Sequence, residues 1–498
     1  MILIKNGLLV DGTGRSSKKT DILVSEDKIS AIGNFPNKKA AITIDALGMT
    51  VMPGFIDPNT DSDHHLTLFS NPSQKDFLLQ GVTTSIGGHC GASLAPLLYG
   101  SLESIRKWAD VKSVNVGWHE VGEFLQILEN RKLGVNFGML IGASTIRRAL
   151  IGEDQRDLTE RELEVFKNIV LKGIKEGALG LSTGLGYAHS KLTPFSEIKT
   201  LTTLVAGQNG VWSTHLRDEE KNLLAATEEV IKITKITGVK TLISHLRPLI
   251  GFENQIKATR QLIAGLDIRI KLRFDSYPFD TSMIPLYTFL PAWAKRGNLE
   301  SMWSAISDPQ TREEIKKALP RLRADKIIIT FAPGNNYLVG KRLAEFALTQ
   351  EVSREEALLR LMQLTRLRAL LAYKNIRPET AEDIVFDERA FVGSNGVSLP
   401  DNASAINIER SSKTFTKFLS LAVKRKDYSL ENAVQKITAE PAEYFGLRQR
   451  GIVKEGYLAD LAISRNGAIE HTIVNGEIAV KDGIYQNILS GKILKKSS

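Results

Sequence analysis

"DLTERELEVFKNIVLKGIKEGALGLST", Asp157–Thr183, holds one complete helix-to-strand unit. Thr159 and Glu162 stand in capping-box spacing, and apolar residues recur with a helical period as far as Lys175. Gly177 and Gly180 stop that helix, and "LGLST" follows as a strand. Downstream the unit repeats: "VWSTHL" (211–216) is a strand, "EEVIKITKITG" (228–238) a helix, and "VKTLISHLR" (239–247) a strand. "IRIKLRFDSYPF" (268–279) follows a helix around Gln261. Alternation of this kind predicts an α/β fold with parallel strands, either a barrel or an open sheet. No G-x-G-x-x-G opens a helix after a first strand, which disfavours the dinucleotide-binding version.

Outside this middle the period drops to two. "ILIKNGLLV", "DILVSEDKISAIG" and "AITIDALG" near the start are short strands bounded by turn residues. "LADLAISRNGAIEHTIVNGEIAVKDGIYQ" near the end has the same texture, with a hairpin signal at Asn475-Gly476. The two ends are expected to meet in one small β-sandwich.

Composition narrows the function. The 498 residues are 42% hydrophobic and 24% charged, as in ordinary soluble globular proteins. The formal charge of +9 is spread along the chain without a nucleic-acid reading motif, so it points to an anionic small molecule and not to nucleic acid. A single cysteine leaves no internal disulfide, and a reducing, cytoplasmic compartment is the expectation. "MILIKNGLLVDGTG" lacks the layout of a signal peptide, and no segment is apolar for long enough to span a bilayer, so no membrane partner is expected.

Chemistry in a parallel barrel sits at the carboxyl ends of strands. Those ends carry Asn59 and Asp61, Cys90, His215, His245, Asp275 and Asn395. A thiolate and two imidazoles form a sound zinc triad with one coordination position open. Taken singly, a cysteine reads as a small buried hydrophobe and a strand-end histidine as a hydrogen-bonded core residue; three on successive strand ends favour a metal site.

Further stretches carry a resemblance: "PGFID" (53–57), "QGVTTSIGGHCGASLAPL" (80–97), "GALGLSTGLGY", "STHLRDE", "LISHLR", "DSYPF", "NNYLVGKRLAEFA", "FVGSNG" (391–396) and "TAEPAEYFGLRQRGIVKEGYLADLAI". Through them the chain resembles the N-acyl-D-amino-acid deacylases (D-aminoacylases) of the amidohydrolase superfamily, nearly end to end. The resemblance implies a TIM-type (β/α)8 barrel over 53–440, a β-sandwich shared by 1–52 and 441–498, and an inserted subdomain within about 285–345. It implies one zinc held by Cys90, His215 and His245. It places Arg247, and by a weaker match Arg410, on the substrate carboxylate, and Tyr277 against the substrate. His189 stands near the mouth where the family usually shows Tyr-Pro-Pro, and is a further candidate for substrate contact.

The chain also departs from that pattern. Asn59 and Asp61 stand where an H-x-H pair serves a second, weaker metal position. Gly186 stands where many relatives carry a carboxylate. Asn395 replaces the aspartate of "GSDG" that moves the proton in the family. An amide has no titratable proton near neutral pH, so Asn395 orients water but is no general base. Three readings stay open. Another carboxylate serves, with Asp61 and Asp63 in the same loop beside His64 and His65. The zinc performs a non-hydrolytic step, such as that of a lyase, dehydratase or cyclase. Or the barrel is an inactive binding protein. His89 is expected to point away from the site, His119 and His471 to lie on the surface, and Asp57 to stabilise its strand end.

Overall fold

The Thr159 hydroxyl accepts from the Glu162 backbone N–H at 3.3 Å, and the Glu162 carboxylate takes the Thr159 N–H at 2.8 Å. The predicted capping box therefore starts the helix Glu160–Lys175 of the computed structural model, which describes residues 1–496. Phe166, Val170 and Ile174 form its buried face. At Gly180 a Cβ would stand 1.9 Å from the Val211 carbonyl oxygen, so only glycine lets the strand Gly180–Gly184 lie against Val211–His215.

That pair belongs to a six-stranded parallel sheet with Lys240–Ile243, Leu272–Ser276 and Ala390–Val392 on one side and Ile141–Gly142 on the other. A second parallel sheet joins Phe55–Asp57, Val82–Gly87 and Asn136–Met139. Every residue of Gly180–Gly184, Val211–His215 and Val82–Gly87 is buried, as in sheets covered on both faces. Backbone contacts link the two sheets at both margins. Leu179 N–H donates to the Met139 carbonyl at 2.8 Å, and Asn395 N–H to the Asn59 carbonyl at 2.8 Å. Thr60 bridges Gly396 in parallel sense.

The chain ends do meet: nine strands from them form one hydrogen-bonded set. Thr50–Pro53 is the joint: it pairs with Ile2–Leu9 on one side and with Leu461–Arg465 on the other. Ile4, Val24, Val51, Ile463 and Ile473 pack into a common apolar cluster beneath it.

Around the insertion expected within about 285–345, residues 281–374 carry an antiparallel sheet separate from the parallel ones. Thr281–Pro285, Ile327–Phe331 and Leu370–Lys374 form an antiparallel sheet with its own apolar cluster around Leu286, Ile329, Leu358 and Met362. Its closing strand, Leu370–Lys374, pairs with both others, so the sheet is complete only at residue 374. Among the described residues no helix is long and apolar enough to cross a membrane.

Candidate metal centre

Three strand ends bring Cys90, His215 and His245 together. Cys90 Sγ lies 3.3 Å from His245 Nε2 and 4.0 Å from His215 Nδ1, and the two nitrogens are 3.1 Å apart. All three side chains are buried. Ligand atoms tetrahedrally placed around zinc at its ordinary distances are about 3.3–3.6 Å apart, so thiolate and imidazoles suit such an ion in both kind and spacing. Cys90 (φ +54°), His245 (φ +39°) and Asn395 (φ +42°) all adopt left-handed backbone conformations without being glycine. Backbone held in this sparsely populated region concentrates at functional sites.

Sequence reasoning missed Glu219. Its carboxylate lies 3.2 Å from His245 Nδ1 and 3.4 Å from His215 Nε2, and it pairs with Arg247. Burial acts to raise the Glu219 carboxyl, but Arg247 and the two imidazoles outweigh it and hold the group well below the usual carboxylate range. The signal was present in "STHLRDE", where Glu219 ends the stretch that supplies His215.

Opposite the triad, the Asn395 amide donates to Asp61 Oδ2 at 2.7 Å, and His64 Nδ1 stands 3.2 Å from Asp61 Oδ1. His64 Nε2 lies 3.1 Å from the Ala92 carbonyl, which can only accept, so that nitrogen carries a proton. With a carboxylate at its other nitrogen, the ring is best satisfied as imidazolium. Burial pushes His64 down, yet the Asp63 and Asp61 carboxylates carry it to about 10. Asp61 is raised by burial but lowered more by His64, His65 and Arg410, and ends below its ordinary value.

Asn59 does not face this group. Its amide donates to both oxygens of Asp275 at 3.2 and 3.1 Å, and Asp275 also accepts the His245 backbone N–H at 3.0 Å. Asp57 holds the strand end as expected, accepting the N–H groups of Ser394 at 3.0 Å and Asn59 at 3.2 Å.

Several expected site residues lie away from the cavity that holds the triad. Asp63 accepts the Gly88 N–H at 2.7 Å, bracing the loop before Cys90, and does not line the cavity. Arg410 is buried, donates to the Ser394 and Asn395 carbonyls, and stacks on Tyr277 at 4.7 Å. Arg410 thus holds the Asn395 turn, its Nε and the Tyr277 hydroxyl are buried without a partner, and neither residue borders the cavity. His189 lines a separate recess beside Lys107 and Tyr187. His65 faces a second apolar hollow next to Trp108. His89 bonds Ser213 at 2.9 Å, away from the triad. His119 is exposed as expected, whereas His471 is buried in the terminal sheet.

The triad, Asp61, Asn395 and Arg247 border one cavity of about 640 Å³. Phe289, Leu290 and Leu322 of the inserted segment form an apolar outer wall, with Lys191, Lys295 and Arg321 also bordering the space.

The amidohydrolase family model matches residues 384–479. The chain is 26% identical to the D-aminoacylase of Alcaligenes xylosoxydans xylosoxydans over 100% of its own length and 98% of that protein. It is also 26% identical to the N-acyl-D-aspartate deacylase of the same organism, over 98% and 91%. A crystal structure of D-aminoacylase superposes with a TM-score of 0.81 at 25% identity over 99% of each chain. The N-acyl-D-glutamate deacylase of Bordetella bronchiseptica, solved with zinc and a phosphonate inhibitor, gives 0.79 at 24% identity over 99% of each chain, a likeness of fold.

Proposed function

We infer that this chain, a full-length homologue of the N-acyl-D-amino-acid deacylases of the amidohydrolase superfamily, is a metal-dependent hydrolase cleaving the amide C–N bond of an anionic N-acyl amino acid. The observation that carries this reading is the Cys90–His215–His245 cluster facing Asp61 across a cavity bordered by Arg247. The two parallel sheets are read as arcs of one (β/α)8 barrel, with residues 1–52 and 441–498 as its appended β domain.

Cys90, His215 and His245 would hold a single zinc ion. When bound, the ion supplies Lewis acidity to a carbonyl and lowers the pKa of water. The remaining work falls to the chain. Asp61 is the carboxylate that accepts the proton of the attacking water and returns it to the leaving nitrogen. His64 holds it ionised through one oxygen, and Asn395 orients it through the other. Asn395 is thus a partner of the base and not the base itself. Arg247 meets the substrate carboxylate with a planar fork, while the apolar outer wall receives the acyl group.

Metal analysis and hydrolysis of a panel of N-acyl-D-amino acids test the reading together. We expect one zinc per chain and cleavage of at least one D-substrate. Asp61→Asn should lower kcat by about 10²–10⁴-fold with zinc content unchanged, as loss of a general base does. Retention of full activity by Asp61→Asn would remove Asp61 from the mechanism, and a wild type that binds no metal would sink the whole reading.

A further inference from the structure

The two imidazoles turn different atoms toward Cys90. His215 presents Nδ1, leaving Nε2 outside; His245 presents Nε2, leaving Nδ1 outside. A nitrogen that ligates a metal carries no proton, so each neutral ring must carry its proton on the outer nitrogen. Both outer nitrogens face the same carboxylate: Glu219 Oε1 stands 3.2 Å from His245 Nδ1, and Oε2 stands 3.4 Å from His215 Nε2. Arg247 pairs with the same Oε2 and balances the buried charge.

We propose that Glu219 is a positioning residue that fixes opposite tautomers in the two histidines of the metal site, one with each of its oxygens. The inference rests on the metal-site reading above. A carboxylate behind a ligating histidine sets the ring's tautomer and orientation and raises its basicity, and its removal typically costs 10–100-fold in metal affinity. Here one side chain performs that task for two ligands. A glutamine in its place cannot: its oxygen accepts from one imidazole, while its NH₂ confronts the proton on the other.

The test is competition for zinc between the metal-free protein and a chromophoric chelator. Glu219→Gln should weaken zinc binding by about 10–100-fold. Glu219→Asp keeps the charge on a shorter arm and should fall between the wild type and the glutamine variant. Thermal melts of the metal-free proteins separate lost ligand positioning from lost folding. Zinc affinity of Glu219→Gln equal to that of the wild type would overturn the proposal. Absence of zinc binding by the wild type would overturn the metal-site reading instead.

Discussion

Asn395 reaches Asp61 with its NH₂ group, and this contact decides what an acid at position 395 would do. Asn395→Asp brings two carboxylates within hydrogen-bond distance, and such a pair retains one proton well above the ordinary carboxylate pKa. With that proton on residue 395, the acid donates to Asp61 as the amide does, and activity survives. As the shared proton leaves, two negative charges face each other and repel an anionic substrate. Activity of the variant relative to wild type should therefore be highest near pH 5 and fall by about tenfold or more toward pH 8, the like-charge pair becoming fully ionised over this span. A pH–rate profile of both proteins decides. A variant faster than wild type at pH 8 would mean that residue 395 is the place for a base. Single residues were the hardest scale to read from sequence. The triad was legible because thiol and imidazole at strand ends have few other uses. Arg410 is harder to place, because a buried arginine that donates to backbone carbonyls is indistinguishable in sequence from one that awaits a carboxylate.

Elements were read more securely where local chemistry alone decides them. Glu160–Lys175 carries its own cap and its own stop, and it begins and ends where the spacing places it. The separate antiparallel sheet is hard to bound from sequence, because its strand Leu370–Lys374 pairs with segments about 40 and 90 residues earlier, a register that no local pattern encodes. The strand Ala390–Val392, which leads to Asn395, depends on another non-local contact. Lys436 of the helix Leu430–Ile437 donates to the Asp387 and Ala390 carbonyls at 2.8 and 2.9 Å. Burial pushes this ammonium down to about 8. Its folded value lies below the ordinary lysine value of about 10.4, so between those limits the unfolded chain binds more protons than the folded one. The cost of burying the charge is complete below pH 8 and is relieved as pH rises toward 10. Lys436→Met lacks this dependence. Denaturation midpoints of wild type should rise relative to Lys436→Met between pH 8 and pH 10; parallel curves would show that Lys436 titrates normally.

At the scale of the molecule, the terminal sheet and the parallel sheets are joined by polar contacts that composition and periodicity could not reveal. Asn475 accepts from Arg450 at 2.9 Å and donates to Asn136 at 2.8 Å, and Asn136 in turn reaches Asp460 at 3.1 Å. The last described residues then run along the strand Asn136–Met139. Gly491, Leu494 and Lys496 donate backbone N–H groups to Leu133, Phe137 and Gly177 at 2.7, 2.7 and 2.9 Å, and the Lys492 carbonyl accepts from Phe137 at 3.0 Å. A Cβ at position 491 would lie 2.0 Å from the Val135 carbonyl oxygen, so the tail fits this edge only through glycine. Removing residues 490–498 strips four backbone hydrogen bonds and uncovers a strand edge. At about 0.5–1.5 kcal/mol each, the bonds are worth roughly 2–6 kcal/mol. Gly491→Val should reproduce much of that loss by expelling the tail without shortening the chain. Both variants should melt several degrees below wild type and aggregate sooner through the exposed edge. Zinc affinity at 25 °C should stay unchanged, because the tail bonds to the strand's early residues and not to the carboxyl ends that carry Cys90, His215 and His245. Calorimetry with a zinc titration checks both halves: an unshifted melting temperature would show that the tail is dispensable, and a lost zinc site would show that the terminal sheet and the metal centre unfold as one unit.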